Sequence, residues 1–439
     1  MTFSSAARRR ELFRTVLNMK TCLIPCSDEQ YQRYAGRTLS GFAGLYALTV
    51  MLSHSAAYIA VAGLGIFAIA VWYRTGGAVT AFTRLRIPLI SLCLFLIWEI
   101  LSRMINGKPV TLAPFDDVPV MFAALLLYRL AFEPELKKST AVTALFILAA
   151  AATLVVLLGI FQQLTGLTYP FPKQPMREGK LYGFFRYYMQ AGCTFSTLAV
   201  FFSSVALFWE TTRTRRILLG IAAAFMMAGT LMTFARTYFL SLLASLLIIC
   251  TRKSLRTAAV GAGIIAVVIT IVFALFPPLR ERAFSIADIH KNPSNRERIY
   301  LNLIALDMIV DHPVAGIGQR EWEYTAEAYS APYKKDWTFS PALLAHAHNV
   351  YLTVAAETGL VGLALFLTFW LSVAVLLLRK PPGKKGGMSW SFSLGTGFAL
   401  INLFIGGVFD ESLRRPLSFL LIAFLISVTL LARDDIAES

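Results

Sequence analysis

Charged residues are scarce in this 439-residue chain, and acidic residues are the scarcest, with 25 Asp and Glu against 41 Lys and Arg. The four charged types make up 15% of the chain, whereas soluble domains carry about 25%. Apolar residues make up 57%, and the mean hydropathy is +0.63. This composition argues against a soluble enzyme and predicts a polytopic membrane protein.

Several signatures of known chemistry are also missing. The five cysteines lack zinc-site spacing and predict no disulfide framework. The sequence has no P-loop, no dinucleotide fingerprint and no Asp-x-Asp pair to hold a metal on a nucleotide sugar. A cytosolic nucleotide-sugar enzyme is therefore disfavoured, and we expect neither a cofactor nor a metal.

The excess of basic residues gives a net charge of +16. In a soluble protein this would suggest nucleic acid as a partner. In a membrane protein it is explained by basic cytoplasmic loops and by anionic lipid headgroups. We therefore expect membrane lipids, and no nucleic acid, as partners.

Apolar runs long enough to approach a bilayer crossing recur along most of the chain. Each crossing needs about 20 mostly apolar residues. The pattern predicts an all-α polytopic membrane domain over residues 38–432 with about twelve transmembrane helices. The predicted spans are 38–53, 56–73, 87–102, 114–132, 140–163, 187–209, 216–233, 237–250, 257–276, 349–378, 389–408 and 416–432.

The distribution of Lys and Arg predicts the orientation. Of these residues, 24 fall on the side of the N-terminus and 17 on the other side, and every short connection on the N-terminal side is basic. We expect both ends to be cytoplasmic: residues 1–37, which lack the apolar core of a cleavable signal, and residues 433–439. The expected location is a cytoplasmic membrane that the chain crosses many times.

Residues 277–348 form one long polar interval between the ninth and tenth predicted spans, and this interval is expected to face the periplasm or the cell exterior. Within it, Ile299, Leu303, Leu306 and Ile309 recur at helical spacing until Pro313. This pattern predicts an amphipathic helix near the membrane surface. We interpret the interval as a helical lid over a membrane-embedded lipid substrate.

Two histidines stand at the end of this interval. His348 precedes Asn349, a predicted N-cap of the tenth span, and a histidine there can act as a general base. The alternative is an interfacial histidine hydrogen-bonded to a neighbouring loop. His346 could pair with His348 on a metal, but no third ligand lies at a recognisable spacing.

Other charged residues are predicted to converge on the same side. Arg236 lies between two apolar runs, where an arginine either snorkels or pairs with an anion. Arg298 on the amphipathic helix could simply contact headgroups. Asp410 either pairs with an arginine of its own turn, 414 or 415, or orients a catalytic partner. For Glu357 inside the tenth span, we expect a partner arginine.

Four motifs between about residues 220 and 370 resemble the O-antigen ligase and polymerase family of bacterial membrane glycosyltransferases. They are Phe234-Ala-Arg236-Thr, then Arg298 followed by His312-Pro-Val-Ala-Gly316-Ile-Gly318, then His346-Ala-His348-Asn349-Val-Tyr-Leu and Glu357-Thr-Gly359-Leu-Val-Gly362. The specific part is the His-x-His-Asn segment with its downstream Glu-x-Gly-Leu-x-Gly. The N-terminal half of the chain matches only as a series of spans.

The resemblance implies a GT-C-type fold and a periplasmic active site. The implied donor is a glycan on undecaprenyl diphosphate, which ligases transfer to lipid A-core, while polymerases and protein O-oligosaccharyltransferases use other acceptors. The family's functional residues fall on Arg236, Arg298, His348 and Asp410. Ala235 replaces a common serine and Asn302 a common tryptophan, and neither change removes a charge.

The resulting hypothesis is a metal-independent inverting ligase. Its alternatives are a polymerase or protein O-oligosaccharyltransferase of the same family, and, from another class, a lipid-linked glycan transporter. Transporters more often carry a charged path through paired broken helices, whereas the unusual charges of this sequence are predicted to collect on one outer side, which favours an enzyme. The candidate substrate-binding residues are Arg177, Arg186, His346, Asn349 and Tyr351.

Overall fold

The computed structural model describes residues 28–75, 86–110, 134–166, 180–185, 187–275, 277–284, 293–334, 345–379, 381 and 383–432. All regular elements within these residues are helices. The α-helices are α1 (Asp28–Leu52), α2 (His54–Thr75), α3 (Arg86–Ile105), α4 (Pro134–Thr165), α5 (Tyr188–Phe208), α6 (Arg213–Met232), α7 (Arg236–Lys253), α8 (Leu255–Leu275), α9 (Pro277–Phe284), α10 (Pro293–Asp311), α11 (Trp322–Tyr329), α12 (Val350–Leu378), α13 (Met388–Gly407) and α14 (Pro416–Leu431).

Eleven of the twelve predicted spans coincide with these helices. The remaining one, the fourth span at 114–132, lies outside the described residues. By length and composition, seven of the described helices can cross a membrane: α3, α4, α5, α6, α8, α12 and α13. The all-α polytopic class is therefore confirmed. The apolar parts of α2 and α14 are shorter, and the predicted division into membrane domain and cytoplasmic ends stays a prediction.

Helix α5 lies at the centre of the described bundle and packs on α6, α7 and α13. Small residues allow the close approach: Gly395 of α13 lies against Phe201 of α5. The two helices are also joined by the amide of Asn402, which donates to Ser196 Oγ at 3.0 Å and Thr197 Oγ1 at 3.2 Å. These contacts fix the helix ends that carry the candidate site.

Helix α12 is broken at Gly359, whose φ of 71° and ψ of −179° are not helical. The break leaves two carbonyl groups without helical partners. Ile317 N–H donates to Ala356 O at 2.9 Å, and Gly318 N–H donates to Glu357 O at 3.0 Å. Irregular backbone is tolerated at this depth because the neighbouring segment satisfies it.

The two glycine motifs of the sequence therefore form one structural unit. Gly316 and Gly359 both have positive φ. A Cβ on Gly359 would overlap the carbonyl oxygen of Val314, and a Cβ on Gly316 would overlap the carbonyl group of Glu357. Only glycine allows the two backbones to approach this closely.

The C-terminal half of α3 holds this unit from the other side. Trp98 Nε1–H donates to Thr358 O at 2.7 Å, and Ser102 Oγ–H donates to Ala315 O at 2.7 Å. One turn later, the amide of Asn106 donates to Gly316 O at 2.9 Å. The break in α12 is thus fixed by two side chains of α3 and by that of the residue directly after it.

The helix predicted inside the polar interval is confirmed as α10, but it has two apolar sides. The side buried against the protein consists of Leu301, Ile304, Ala305 and Met308. Of the predicted stripe, Ile299, Leu303 and Leu306 are exposed, whereas Ile309 is half-buried against the protein. A helix that packs on protein on one side and meets lipid on the other can be apolar on both, so the periodicity could not identify the buried side.

Candidate active site

His348 is placed by the N-cap of α12. The Asn349 side chain accepts hydrogen bonds from Tyr351 N–H at 3.0 Å and Leu352 N–H at 3.2 Å, which confirms the predicted cap. Just before the cap, His348 has a φ of 55°. This left-handed conformation is uncommon for a residue with a side chain and often marks a functional position.

The imidazole of His348 lies beside a buried carboxylate. Its Nδ1 is 4.0 Å from Asp410 Oδ1, and its side chain is 11% exposed. The ring of His346 lies 4.2 Å away, centroid to centroid. Neither nitrogen of His348 has a hydrogen-bond partner in the described part of the chain, so the loop partner expected for a merely interfacial histidine is not found there.

Asp410 is held by two residues from different elements. Arg415 Nη2 donates to both carboxylate oxygens, at 2.7 and 2.9 Å, and the Tyr238 hydroxyl of α7 donates to Oδ2. The predicted pairing within the turn is thus confirmed with Arg415. Burial alone would raise the pKa of Asp410, but the charge and hydrogen bonds of Arg415, with the Tyr238 hydrogen bond, hold it well below its usual range.

A second ion pair lies next to the first. Arg414 Nη2 donates to Glu357 Oε2 at 2.7 Å, so the arginine partner expected for Glu357 is confirmed. Both carboxylates are buried. The Arg414–Glu357 pair joins the α13–α14 turn to α12, and the hydrogen bond from Tyr238 to Asp410 joins the turn to α7. The turn is therefore rigidly attached to the broken helix and to α7.

Arg236 is hydrogen-bonded to α10, the helix that carries Arg298. Arg236 begins α7 and donates from Nη2 to Asn295 Oδ1 at 2.9 Å. Asn295 and Arg298 are three residues apart on α10 and so share one side of that helix. Within the described residues Arg298 makes neither a hydrogen bond nor an ion pair, and its charge acts on both histidines. An arginine without a carboxylate partner beside a histidine pair is a candidate anion-binding residue.

A cavity of about 430 Å³ opens at this cluster. Its polar end includes His346, Glu411, Arg414 and Arg415. One wall is apolar and comes from α3, α12 and α14, with Leu92, Phe95, Leu96, Phe366, Phe369, Trp370 and Phe419. Polar side chains between this wall and the cluster also line the cavity, namely Glu99, Gln319, Arg320, Glu323, Thr353 and Glu357. The cavity is therefore suited to a molecule with a charged head and an apolar tail.

Both histidines are neutral at physiological pH. Burial lowers the pKa of His348 to about 3, and the charges of His346 and Arg298 act in the same direction. Burial likewise lowers the pKa of His346 to about 4. A neutral imidazole has a lone pair that can accept a proton, and an anion bound beside Arg298 would raise the pKa of His348 again.

The fold supplies a third potential metal ligand that the spacing did not reveal. Ligand atoms of His346, His348 and Asp410 lie within 4.8 Å of one another. However, both oxygens of Asp410 already accept hydrogen bonds, and the charges of Arg298 and Arg415 also act on the histidines. This positive environment fits an anion better than a divalent cation, so we interpret the cluster as a site for acid–base chemistry.

The remaining candidate residues fall into two groups. Arg177 and Arg186 lie outside the described residues. Asn349 caps α12, and the Tyr351 hydroxyl donates to Phe404 O at 2.8 Å, so both help to position His348. Contact of any of these four residues with substrate stays a prediction.

Sequence patterns missed Tyr238, the hydrogen-bond partner of Asp410. The two residues are 172 positions apart. An aromatic residue in an apolar run is normally taken for core. The only local signal was its position two residues after Arg236, at the start of the eighth predicted span.

Thr353 connects Glu411 to the segment that carries His346 and His348. Thr353 Oγ1 is 2.6 Å from Glu411 Oε1 and 3.0 Å from Asn349 O, and it accepts a hydrogen bond from Ala347 N–H. One hydroxyl hydrogen cannot serve both oxygens, so a protonated Glu411 completes the network. Burial indeed raises the pKa of Glu411 to about 7, although the charge of Arg414 and the Thr353 hydrogen bond act in the opposite direction.

We expect Glu411 to make stability depend on pH. Because its folded-state pKa is raised, its contribution to the free energy of unfolding is fully present below its ordinary pKa and is lost as pH rises through about 7. The unfolding temperature of the wild type should therefore fall more between about pH 5.5 and about pH 8 than that of Glu411→Gln, which stays neutral. Equal slopes for the two proteins would show that Glu411 is ionised throughout.

The fold and the site together define a polytopic helical membrane protein with a histidine, two arginines and a buried carboxylate near a half-apolar cavity. Residues 198–367 match the family model described as O-antigen ligase. The match supports the resemblance that the sequence motifs suggested, and this segment is similar to a family of membrane glycosyltransferases. The match includes Arg236, Arg298 and His348 but ends before Asp410. No curated protein matches the chain.

Proposed function

We propose that the protein transfers an O-antigen glycan from undecaprenyl diphosphate to a sugar hydroxyl of lipid A-core. The observation that carries the proposal is the neutral imidazole of His348, buried beside Asp410 and Arg298 next to a cavity with an apolar wall. A lipid-linked diphosphate has the matching chemistry, with an anionic head and an apolar chain. The family of residues 198–367 supports the same activity.

In the proposed reaction, His348 takes the proton of the acceptor hydroxyl as its oxygen attacks the anomeric carbon. The bond between this carbon and the diphosphate oxygen breaks, and attack from the opposite face inverts the configuration. Arg298 and Arg236 stabilise the negative charge that develops on the leaving diphosphate. Because the diphosphate leaves as an anion, no general acid is needed.

Asp410 would stabilise the imidazolium that forms on His348. At 4.0 Å from Nδ1, its charge favours the protonated ring without a direct hydrogen bond in the resting state. The bonds from Arg415 and Tyr238 fix its position. Asp410 therefore acts through His348 and serves as a positioning residue.

The arrangement of the helices supports a periplasmic site and cytoplasmic ends. Arg236 begins α7, whereas the basic residues Arg252 and Lys253 end it. The charges of the candidate site thus lie at one end of the bundle, and a predicted cytoplasmic connection lies at the other. This separation agrees with the orientation that the Lys and Arg distribution predicts in a bacterial inner membrane.

Replacing Arg298 with alanine should lower transfer by about 10²- to 10³-fold, because a group that stabilises the departing charge is lost. Arg298→Lys should recover part of the activity, since it keeps the charge but not the bidentate geometry. Initial rates of glycan transfer by purified protein would measure both. Arg256→Ala, which removes an exposed arginine of α8, is the control. Near-normal transfer by Arg298→Ala would contradict the diphosphate clamp.

The products of a reconstituted reaction test the proposed function itself. Purified protein in liposomes would receive an undecaprenyl-diphosphate glycan and lipid A-core, with and without EDTA. We expect EDTA-insensitive formation of glycosylated lipid A-core. Lengthening of the lipid-linked glycan would instead identify a polymerase, and transfer to an added protein would identify an oligosaccharyltransferase. Movement of the glycan lipid across the bilayer without any new bond would identify a transporter.

A further inference from the structure

A second cavity, of about 310 Å³, lies at the opposite end of the bundle. It is formed where α5 and α7 end and α13 begins. Since α7 starts at Arg236 and has 18 residues, the cavity lies about 25 Å from the candidate active site. It is lined by Phe208, Glu210, Arg252, Lys253, Lys385, Gly386 and Trp390.

Positive charge dominates this cavity. Arg252, Lys253 and Lys385 line it, and none of them forms a hydrogen bond or an ion pair with another residue in the described ranges. The one acidic residue, Glu210, is exposed, and its carboxylate lies against Gly386, where a Cβ would overlap it. Three unpaired cations and one carboxylate favour an anionic ligand.

Aromatic side chains form the inner wall. The rings of Phe208 and Trp390 meet edge to face, with centroids 5.6 Å apart. Lys253 Nζ lies 5.4 Å from the centre of the Phe208 ring. Tryptophan beside lysine at a helix end is typical of the membrane–water interface, where headgroups lie.

The surface next to the cavity is apolar. Leu247 and Ile248 in the last turns of α7 are 42% and 37% exposed, and Leu255 at the start of α8 is 82% exposed. In a membrane these side chains would contact acyl chains. A ligand that combines a negative headgroup with acyl chains therefore matches the site better than a soluble anion does.

We propose that this cavity binds the phosphate of an anionic phospholipid from the predicted cytoplasmic leaflet. The guanidinium of Arg252 would pair with the phosphate oxygens, and the two lysines would add charge from both sides. The bound lipid would connect α5, α7 and the loop before α13. The opposite ends of α5, α7 and α13 reach the candidate active site, where Gly192 lies against Tyr238 and Gly407 against Tyr351.

The experiment compares two sets of charge-removing variants of the full-length protein. The cavity set is Arg252→Gln, Lys253→Gln and Lys385→Gln. The control set, Arg213→Gln, Arg256→Gln and Lys384→Gln, removes the same charge from exposed neighbours outside the cavity. Binding of phosphatidylglycerol and of phosphatidylcholine would be measured by native mass spectrometry, and unfolding temperatures would confirm that all proteins are folded.

We expect the wild type to bind phosphatidylglycerol in preference to phosphatidylcholine. The cavity variants should weaken phosphatidylglycerol binding by about tenfold or more, and the control variants by much less. An equal effect of both sets, or no effect of either, would show general surface attraction and overturn the proposal. Competition by millimolar inorganic phosphate as effective as competition by the lipid would overturn the lipid assignment. These readouts do not depend on glycan transfer, so the proposal can fail or succeed independently of the proposed function.

Discussion

Replacing His348 should reduce glycan transfer by about 10²- to 10⁴-fold while the protein stays folded, because this is the usual cost of losing a general base. The fold should survive because neither ring nitrogen hydrogen-bonds to another described residue. Since His348 has a φ of 55°, His348→Asn is the sharper variant: asparagine tolerates this conformation but cannot act as the base. Initial transfer rates and unfolding temperatures of the two proteins would measure the effect.

His346→Asn is the matched control for this experiment. His346 lies 4.2 Å from His348, centroid to centroid, is buried to a similar degree, and also has a ring nitrogen within 4.8 Å of an Asp410 oxygen, but it lines the cavity and does not directly precede the N-cap of α12. We expect its replacement to raise KM for the donor more than it lowers kcat. If His348→Asn kept more than about a tenth of the wild-type rate, or if His346→Asn were the more damaging change, the assignment of the base would be wrong.

Replacing Gly359 with alanine should prevent correct folding. Its φ of 71° is strained for any residue with a side chain, and a Cβ would overlap the carbonyl oxygen of Val314. The new methyl group would push apart the segments whose backbone bonds join Ile317 to Ala356 and Gly318 to Glu357. We expect a loss of several kcal/mol of stability, of the order of the whole stability of many proteins, about 5–15 kcal/mol. The yield of monodisperse protein and its unfolding temperature would measure it.

Gly220→Ala in α6 is the control, because a Cβ there meets nothing within 4 Å. In a helix interior this change should be neutral or stabilise by up to about 1 kcal/mol. A Gly359→Ala protein with the same yield and unfolding temperature as Gly220→Ala would show that the break in α12 is not required for folding.

The positions of the spans could be predicted from the sequence because each span is apolar in its own right. The same holds for the cap of α12, since Asn349 and the two N–H groups it binds are neighbours in sequence. The ion pair of Asp410 with Arg415 was expected for the same reason, as both belong to one turn. Local patterns therefore predict local structure, including part of the candidate site.

Contacts between distant segments could not be predicted in this way. Tyr238 and Asp410 are 172 residues apart, and Ser102 reaches Ala315 across 213 residues. No local periodicity records such pairs. The resemblance to a family predicts functional roles for His348 and the two arginines, but only the fold shows which side chains hold Asp410 beside His348.

The buried side of α10 was unpredictable for a different reason. Apolar residues occupy both sides of this helix, so two faces satisfy the same helical spacing. The faces are distinguished only by their surroundings, with Leu301 and Met308 packed on protein and Leu303 exposed. In membrane proteins, hydrophobic periodicity locates a helix more reliably than it orients it.

The most direct test of the central claim is the fate of the donor in a single reaction. A donor labelled in the undecaprenyl diphosphate and at the anomeric carbon would be incubated with purified protein, lipid A-core and EDTA. The proposed mechanism predicts one released undecaprenyl diphosphate for each glycan joined, an inverted anomeric configuration, and neither product with His348→Asn. Retention of configuration, or transfer that requires a restored divalent metal, would contradict a metal-independent displacement with His348 as the base.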